Sequence, residues 1–213
     1  MEINELKDLK DFYQLDSDIK YKYKNNKDII VFKNVIKKAD CQFIIDTIEN
    51  RCQWGDATTF GKVEDYRKTQ VIHLTQMFGI HSDLFQAHSV LGYAFKTCIE
   101  QLMKIYKCNF NGMTNTHFKY NGDEGFQILK YQSGDYYKEH TDGGFNLEVK
   151  RTVSFVFYLN DNFTGGGTYF PRQDVTISPN IGDVLIFPSS YTHPHEAQSI
   201  IEGTKYSAVI WSY

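Results

Sequence analysis

The distribution of apolar and polar residues predicts two regions of different structure. In the first region, residues 28–36 are apolar and β-branched, which predicts a strand. Asp40 is expected to cap a helix that follows this strand. Residues 89–106 repeat apolar side chains with a period of about 3.6 residues, so they predict a second helix. The apolar stripe of the first helix consists of Phe43, Ile44, Ile45 and Ile48.

After about Thr114 the apolar segments become shorter, and Gly, Asn and Pro separate them. Short strands at regular spacing are typical of a β-sandwich or barrel. The segment 151–159 is apolar on both faces, so both faces need a cover, and the two upstream helices can cover the outer one. The predicted strands are 126–131, 151–159, 168–171, 175–177, 183–187, 195–200 and 205–213.

Composition and charge exclude several classes of protein. The 213 residues carry a net charge of −3, with both signs mixed along the chain, which argues against nucleic-acid or membrane-surface binding. No apolar run is long enough to span a membrane, and the charged N-terminus does not resemble a secretory signal. We therefore expect a cytoplasmic protein. The abundance of Lys, Asn, Ile and Tyr is typical of an AT-rich viral or bacterial genome.

We expect residues 1–27 to be an N-terminal extension and residues 28–213 to form one domain, with its barrel core at about 114–213. The sequence indicates no oligomeric state.

The pair His140 and Asp142 brings an imidazole and a carboxylate to one face of an extended segment. Such a pair also arises by chance, and His81-Ser82-Asp83, which fits a surface turn and helix cap, is a second example. The pair at 140–142 is followed about fifty residues later by His193 and His195 in another short strand, whereas the pair at 81–83 lies before a helix and has no later histidine in a matching frame. Two histidines and one carboxylate that leave coordination positions of the metal open are typical of non-haem Fe(II) sites. The ligand types do not exclude zinc, and a zinc site with these ligands would be hydrolytic. Strand phase does not distinguish His193 from His195.

Lys205 begins the last predicted strand, ten residues after His195. It shares one strand face with Ser207, Val209 and Trp211. A face that carries Val and Trp is not usually wet, so this lysine is predicted to point inward. An inward ammonium could bind an anionic group beside the metal.

Residues 124–142, EGFQILKYQSGDYYKEHTD, resemble the prolyl 4-hydroxylase branch of the Fe(II)/2-oxoglutarate dioxygenases. The resemblance covers about residues 124–212. It continues through Arg151-Thr152-Val153-Ser154, Tyr158-Leu159-Asn160-Asp161, Gly165-Gly166-Gly167-Thr168-Tyr169-Phe170-Pro171, Gly182-Asp183, His195, Gly203-Thr204-Lys205-Tyr206 and Trp211.

The resemblance implies an α+β, mainly β fold, a double-stranded β-helix or jelly-roll barrel with helices packed on one sheet. It implies iron ligands at His140, Asp142 and His195, the last favoured over His193 by its ten-residue interval to Lys205. Lys205 would pair with the far carboxylate of 2-oxoglutarate. Ser154 stands where the family commonly has a Thr that helps to hold the same carboxylate, and Tyr131 would line the co-substrate pocket.

By the same resemblance, the chain is a dioxygenase that uses Fe(II), 2-oxoglutarate and O2, with ascorbate as a further cofactor, and that releases succinate and CO2. The expected substrate is a prolyl residue of a protein or peptide, and Arg151 matches a position that some members use to contact it. A Pro-rich peptide could also lie in an extended conformation along aromatic residues such as Tyr136 and Phe145. Tyr137 is expected to be a packing residue. Two alternatives stay open: the same hydroxylation of a lysyl side chain, free amino acid or small metabolite, and a non-catalytic barrel that acts as a binding module.

Overall fold

The computed structural model describes residues 20–23, 28–57, 65–77, 81–106, 120–143 and 150–213. The predicted extension, residues 1–27, therefore lies outside the described residues apart from residues 20–23. Two helices, α1 (Lys38–Arg51) and α2 (Ser82–Ile105), and a short 3-10 helix (Leu74–Gln76) accompany the strands. In the described ranges neither helix combines the length and the apolarity needed to cross a membrane.

The strands are β1 (Lys20–Tyr23), β2 (Ile30–Lys33), β3 (Gly55–Asp56), β4 (Arg67–Lys68), β5 (Gln70–His73), β6 (Gln127–Tyr131), β7 (Tyr136–His140), β8 (Val153–Tyr158), β9 (Thr164–Gly165), β10 (Thr168–Phe170), β11 (Val175–Ile177), β12 (Val184–Pro188), β13 (His195–Ala197), β14 (Ile200–Glu202) and β15 (Lys205–Ser212).

The strands form two main sheets that face each other. The larger sheet has eight strands in the order β1-β2-β12-β8-β15-β6-β5-β3, and the smaller has five in the order β11-β10-β13-β7-β4. All of their pairings are antiparallel, and β9 and β14 form a third, two-stranded sheet. This is the mainly β, jelly-roll architecture that was predicted, although the two sheets do not close into a continuous barrel. The larger sheet also includes β1, β2, β3 and β5 from before residue 114.

The helices differ from the prediction at their starts. α1 begins at Lys38 after Lys37, and Asp40 lies inside its first turn, so the prediction that Asp40 is the cap was wrong. A carboxylate there still interacts favourably with the helix dipole. α2 begins at Ser82, seven residues before the predicted start. The prediction missed its first two turns because they contain few apolar residues beyond Leu84 and Ala87.

The helices cover the outer face of the larger sheet, as was predicted from the two apolar faces of segment 151–159. Phe155 and Phe157 of β8 pack in a buried cluster with the apolar faces of α1 and α2. The alternate residues Val156 and Tyr158 point to the interior between the sheets. Burial of both faces makes β8 a rigid central support for any side chain that it presents to that interior.

Candidate active site

Two histidines meet across neighbouring strands of the smaller sheet. His140 ends β7, His195 begins β13, and the antiparallel register places them directly opposite each other. Their ring centroids are 4.3 Å apart. Directly opposed residues on antiparallel strands have the shortest cross-strand side-chain separation. The strand pairing therefore brings together two imidazoles that are far apart in the sequence.

Both imidazoles are held in one orientation by backbone carbonyl groups. Nδ1 of His140 lies 2.8 Å from the carbonyl oxygen of Lys138, and Nδ1 of His195 lies 3.2 Å from that of His193. A carbonyl oxygen only accepts, so each Nδ1 carries the proton and each neutral ring keeps its lone pair on Nε2. Burial lowers the pKa of His195 to about 4, although Asp142 opposes the shift. His195 is thus a neutral donor near pH 7.

Asp142 lies in the bend after β7 and faces both Nε2 atoms. Its Oδ1 is 3.6 Å from Nε2 of His140, and its Oδ2 is 3.7 Å from Nε2 of His195. Burial alone would raise the pKa of Asp142, whereas protonated His195 and His140 and a hydrogen bond from Ser154 lower it. The hydrogen bond from Ser154 favours the carboxylate form of Asp142 whatever the protonation of the histidines.

One ligand atom from each of His140, Asp142 and His195 lies within 4.8 Å of the others. Among the described residues, these three form the one such group of His, Cys, Asp and Glu. The structure thus brings together the three predicted ligands. The other candidate pair, His81 and Asp83, is not part of it, because Asp83 accepts a hydrogen bond from Arg51 instead.

Lys205 is buried beside the same interior, with 3% of its surface exposed. Its Nζ donates a 2.7 Å hydrogen bond to the carbonyl oxygen of Gly166, and no carboxylate among the described residues lies within ion-pair distance. Burial lowers the pKa of Lys205 to about 7. A buried ammonium without a counter-ion is costly, and an incoming anion would relieve that cost.

A cavity of about 730 Å³ contains both the three-residue cluster and Lys205. This volume lies within the usual range for small-molecule sites. Tyr131 is opposite Lys205 on β6, and its ring centroid is 5.6 Å from Nζ; Tyr158 is 5.4 Å away on the other side. The predicted inward face of β15 also holds, since Ser207, Val209 and Trp211 line the cavity.

Ser154 is not near the ammonium of Lys205. Its hydroxyl donates a 2.6 Å hydrogen bond to Oδ2 of Asp142. Ser154 is opposite Trp211 on β15, six residues from Lys205, which corresponds to about 20 Å along a strand. The structure therefore places Ser154 at the metal end of the cavity, whereas the resemblance placed it on the same carboxylate as Lys205.

The two predicted substrate residues have different positions. Arg151 lines the cavity, but its guanidinium makes two 2.6 Å hydrogen bonds to Glu124 and lies 3.7 Å above the ring of Trp211. Tyr136 is outside the cavity, and its hydroxyl donates to the carbonyl oxygen of Asp65. The structure thus brings Arg151, but not Tyr136, to the site.

Two cavity residues were not predicted to lie at the site: Tyr137, which was expected only to pack, and Arg67. The ring of Tyr137 stacks on His140 with centroids 3.5 Å apart, and the guanidinium of Arg67 lies 4.6 Å from the centre of Tyr137. A register shift between β7 and β13 puts Tyr137 and His140 on one side although they are three residues apart. Simple strand alternation assigns such residues to opposite faces, so no pattern in the sequence indicated this contact.

His193 is buried beside Phe170 and is not part of the cluster. Its Nδ1 lies 2.9 Å from the hydroxyl of Thr192, and its Nε2 has no hydrogen-bond partner among the described residues. Its contribution to the cluster is the carbonyl oxygen that orients His195.

Comparison with known proteins agrees with this geometry. The model of the 2OG-Fe(II) oxygenase superfamily matches residues 126–213. Prolyl 4-hydroxylase 1 of Arabidopsis thaliana is 25% identical over 211 residues, which cover 86% of this chain and 68% of that one. The chain spans less than half of other matched relatives, for example 44% of one from Acanthamoeba polyphaga mimivirus and 42% of another from Arabidopsis thaliana.

Two solved structures share the fold. One is the viral collagen prolyl hydroxylase of Paramecium bursaria Chlorella virus-1 in a 2OG complex, with a TM-score of 0.65 and 21% identity, covering 88% of this chain and 97% of that one. The other is a prolyl hydroxylase from Trichoplax adhaerens in complex with a peptide fragment of the hypoxia inducible factor oxygen degradation domain. Its TM-score is 0.67 at 17% identity, and the match covers 100% of this chain and 94% of that one.

Proposed function

We propose that the chain is an Fe(II)- and 2-oxoglutarate-dependent hydroxylase of prolyl residues in a protein or peptide, because residues 126–213 match the model of the 2OG-Fe(II) oxygenase superfamily. One observation supports this most directly. A cluster of two histidines and one carboxylate shares a single cavity with a buried lysine that has no carboxylate partner among the described residues.

The donor set fits a ferrous ion. His140 and His195 offer neutral Nε2 atoms, and Asp142 offers one negative charge, the combination that leaves coordination positions open in non-haem iron enzymes. Bound there, Fe(II) would supply the redox centre at which O2 and 2-oxoglutarate are converted to succinate and CO2 as a C–H bond is hydroxylated. The hydrogen bond from each Nδ1 to a backbone carbonyl oxygen holds the ring so that Nε2 points towards the metal position.

The cavity also fits a dicarboxylate that reaches from the metal to Lys205. Lys205 would pair with the far carboxylate, and the hydroxyl of Tyr131 would donate a hydrogen bond to it from the opposite strand. Both side chains are buried, so water competes little for the carboxylate. These residues hold the co-substrate in one position and keep its other end directed at the metal.

Support for a prolyl substrate comes from the relatives, which are named as prolyl 4-hydroxylases, and from a fold neighbour that was solved with a peptide. In this chain Arg151 and Trp211 are stacked at the cavity wall near Asp142, where a peptide could approach the metal. Phe145, a further aromatic residue at which a peptide was expected to lie, falls outside the described residues.

The test is a mass-spectrometric assay with synthetic peptides. Protein with Fe(II), 2-oxoglutarate, ascorbate and O2 is incubated with matched peptides that contain Pro, Lys or neither. The proposal predicts a mass gain of one oxygen on proline, stoichiometric succinate, and loss of both in His140→Ala. Omission of ascorbate reports whether it is required.

Other outcomes identify the alternatives. Hydroxylation of Lys peptides or of a free amino acid, but not of Pro peptides, would replace the substrate and keep the chemistry. A protein that binds Fe(II) but no 2-oxoglutarate would be the non-catalytic binding module.

A further inference from the structure

The carboxylate of Asp142 is tied to the larger sheet through a chain of two buried hydroxyl groups. Ser154 of β8 donates to Oδ2 of Asp142 at 2.6 Å, and the hydroxyl of Ser189 is 2.8 Å from that of Ser154. Both serines are almost inaccessible to solvent, with 1% and 0% of their surfaces exposed. A serine hydroxyl has one proton, so if Ser154 donates to Asp142, Ser189 must donate to Ser154.

The end of this chain is fixed by the backbone. The amide of Ser189 donates to the carbonyl oxygen of Thr152 at 3.0 Å, and its carbonyl oxygen accepts from the amide of Gly143 at 2.7 Å. Ser189 therefore links the residue after Asp142 to the residue before β8. An added Cβ at Gly143 would lie 3.0 Å from the Ser189 carbonyl oxygen, so the two segments already touch.

From these contacts, and resting on the proposed function, we propose that Ser154 and Ser189 are positioning residues that make Asp142 a ligand through one oxygen only. The hydrogen bond directs one lone pair of Oδ2 to Ser154, which leaves Oδ1 as the better placed donor to a metal. Around a six-coordinate metal, one oxygen from Asp142 and one nitrogen from each histidine would leave three positions open. A keto acid bound through two oxygens would take two of these positions, and O2 would take the third.

The proposal assigns Ser154 to the metal end of the site. A freed carboxylate could rotate and bind through both oxygens, which would occupy a position that the co-substrate needs. Outer hydrogen bonds to metal ligands typically change metal affinity by 10–100-fold. Loss of the Ser154 hydroxyl is therefore expected to affect both metal binding and, more strongly, 2-oxoglutarate binding.

The experiment measures Co(II) binding without 2-oxoglutarate, by titration and by visible absorption, which reports coordination number. Ser154→Ala is expected to bind Co(II) at least about tenfold more weakly and with a changed spectrum. Ser154→Thr, which keeps the hydroxyl, should stay within about threefold of wild type. Ser189→Ala should change affinity in the same direction by a smaller factor, and it keeps the test decisive if Ser154→Ala does not fold.

Ser212→Ala is the matched control, because Ser212 is equally buried on the adjacent strand but hydrogen-bonds to Thr152 rather than Asp142. Its Co(II) affinity and spectrum should equal those of wild type. The proposal would be overturned if Ser154→Ala and Ser189→Ala fold and bind Co(II) with the same affinity and spectrum as the wild type. Failure of the wild type to bind 2-oxoglutarate would instead contradict the proposed function and would leave the Co(II) result readable on its own.

Discussion

At the scale of single residues, the most consequential feature is an ammonium group in the interior. Lys205 is buried, has two aromatic rings within 6 Å of its Nζ, and donates a hydrogen bond to the carbonyl oxygen of Gly166. This arrangement stabilises the protein poorly without an anion, because the charge is desolvated and incompletely compensated. Lys205 is therefore expected to contribute a large part of the binding free energy of an anion, because the anion compensates the buried charge.

Lys205→Met should weaken 2-oxoglutarate binding by roughly 10–100-fold, the loss expected for a charge-assisted hydrogen bond. Metal affinity should change little, since Lys205 is not one of the three clustered residues. Isothermal titration with Mn(II) and then with 2-oxoglutarate measures both. Lys130→Met is the control, because Lys130 pairs with Glu49 on the outer side of the same sheet. An equal loss of both affinities would contradict the assigned role.

The affinity for 2-oxoglutarate should also fall as the pH rises above about 7. Burial lowers the pKa of Lys205 to about 7 in the empty protein. A bound carboxylate favours the charged form and raises this pKa, so binding above pH 7 requires proton uptake. The dissociation constant should increase by up to about tenfold per pH unit between 7 and 9. Lys205→Met should lose this slope; a wild-type constant that does not vary with pH would contradict the argument.

At the scale of elements, α2 supports the catalytic strands through one aromatic residue. The ring of Phe95 makes edge contacts with Phe155 of β8 at 4.9 Å and with Phe126 beside β6 at 6.2 Å. Since β8 also presents Ser154 to the cavity, this contact connects the helical layer to the metal end of the site. Aromatic pairs in this geometry contribute beyond their buried area.

Phe95→Ala should lower the free energy of unfolding by about 3–5 kcal/mol, as is usual when a buried aromatic ring is removed. Tyr93→Ala, two residues away on the same helix and 76% exposed, should change it by less than about 0.5 kcal/mol. Urea unfolding followed by circular dichroism compares the two. Similar losses in both variants would show that α2 does not pack as described.

The two helices also show how far apolar patterns can predict elements. The periodic part of α2, from Ser89 onward, was predicted because its apolar face packs on the sheet. Its first two turns expose Ser82 and Phe85, so they lack the pattern that identified the rest. β7 was missed because its side chains are half-buried or exposed and do not alternate.

At the scale of the whole molecule, the segment that follows β2 is hydrogen-bonded to the jelly roll at Gly182. The amides of Val35 and Ile36 both donate to the carbonyl oxygen of Gly182, at 2.8 and 3.1 Å. The amide of Gly182 in turn donates to the carbonyl oxygen of Tyr158. Gly182 has a φ of 81°, and an added Cβ would lie 2.1 Å from the carbonyl oxygen of Ile36. Only glycine satisfies both conditions.

Gly182→Ala should therefore destabilise the protein by at least about 2 kcal/mol, the sum of backbone strain and a clash. Gly92→Ala is the opposite case, because Gly92 lies within α2 and an added Cβ has no neighbour within 4 Å. This change should stabilise by up to about 1 kcal/mol. Thermal unfolding of both variants checks the signs, and a neutral Gly182→Ala would contradict the close approach.

Much of the site could be predicted because local periodicity and motif spacing carry it. The alternation along β15 indicated that Lys205 points inward, and the spacing of His140, Asp142 and the later histidines indicated a metal cluster. The family resemblance then favoured His195 over His193. The position of Ser154 and the contact of Tyr137 with His140 could not be predicted, since they depend on the register between strands and on a bulge. Arg67 was missed because residues 52–80 carry no pattern that reports which loop borders the cavity.

The opposed pairing of His140 and His195 also makes the metal cluster a long-range feature, because the two strands that carry it are neighbours in the sheet but far apart in the sequence. The ligand atoms converge only when β7 and β13 are paired, so the metal should bind the folded protein far better than the unfolded chain. Bound metal should therefore raise the temperature at which the protein unfolds.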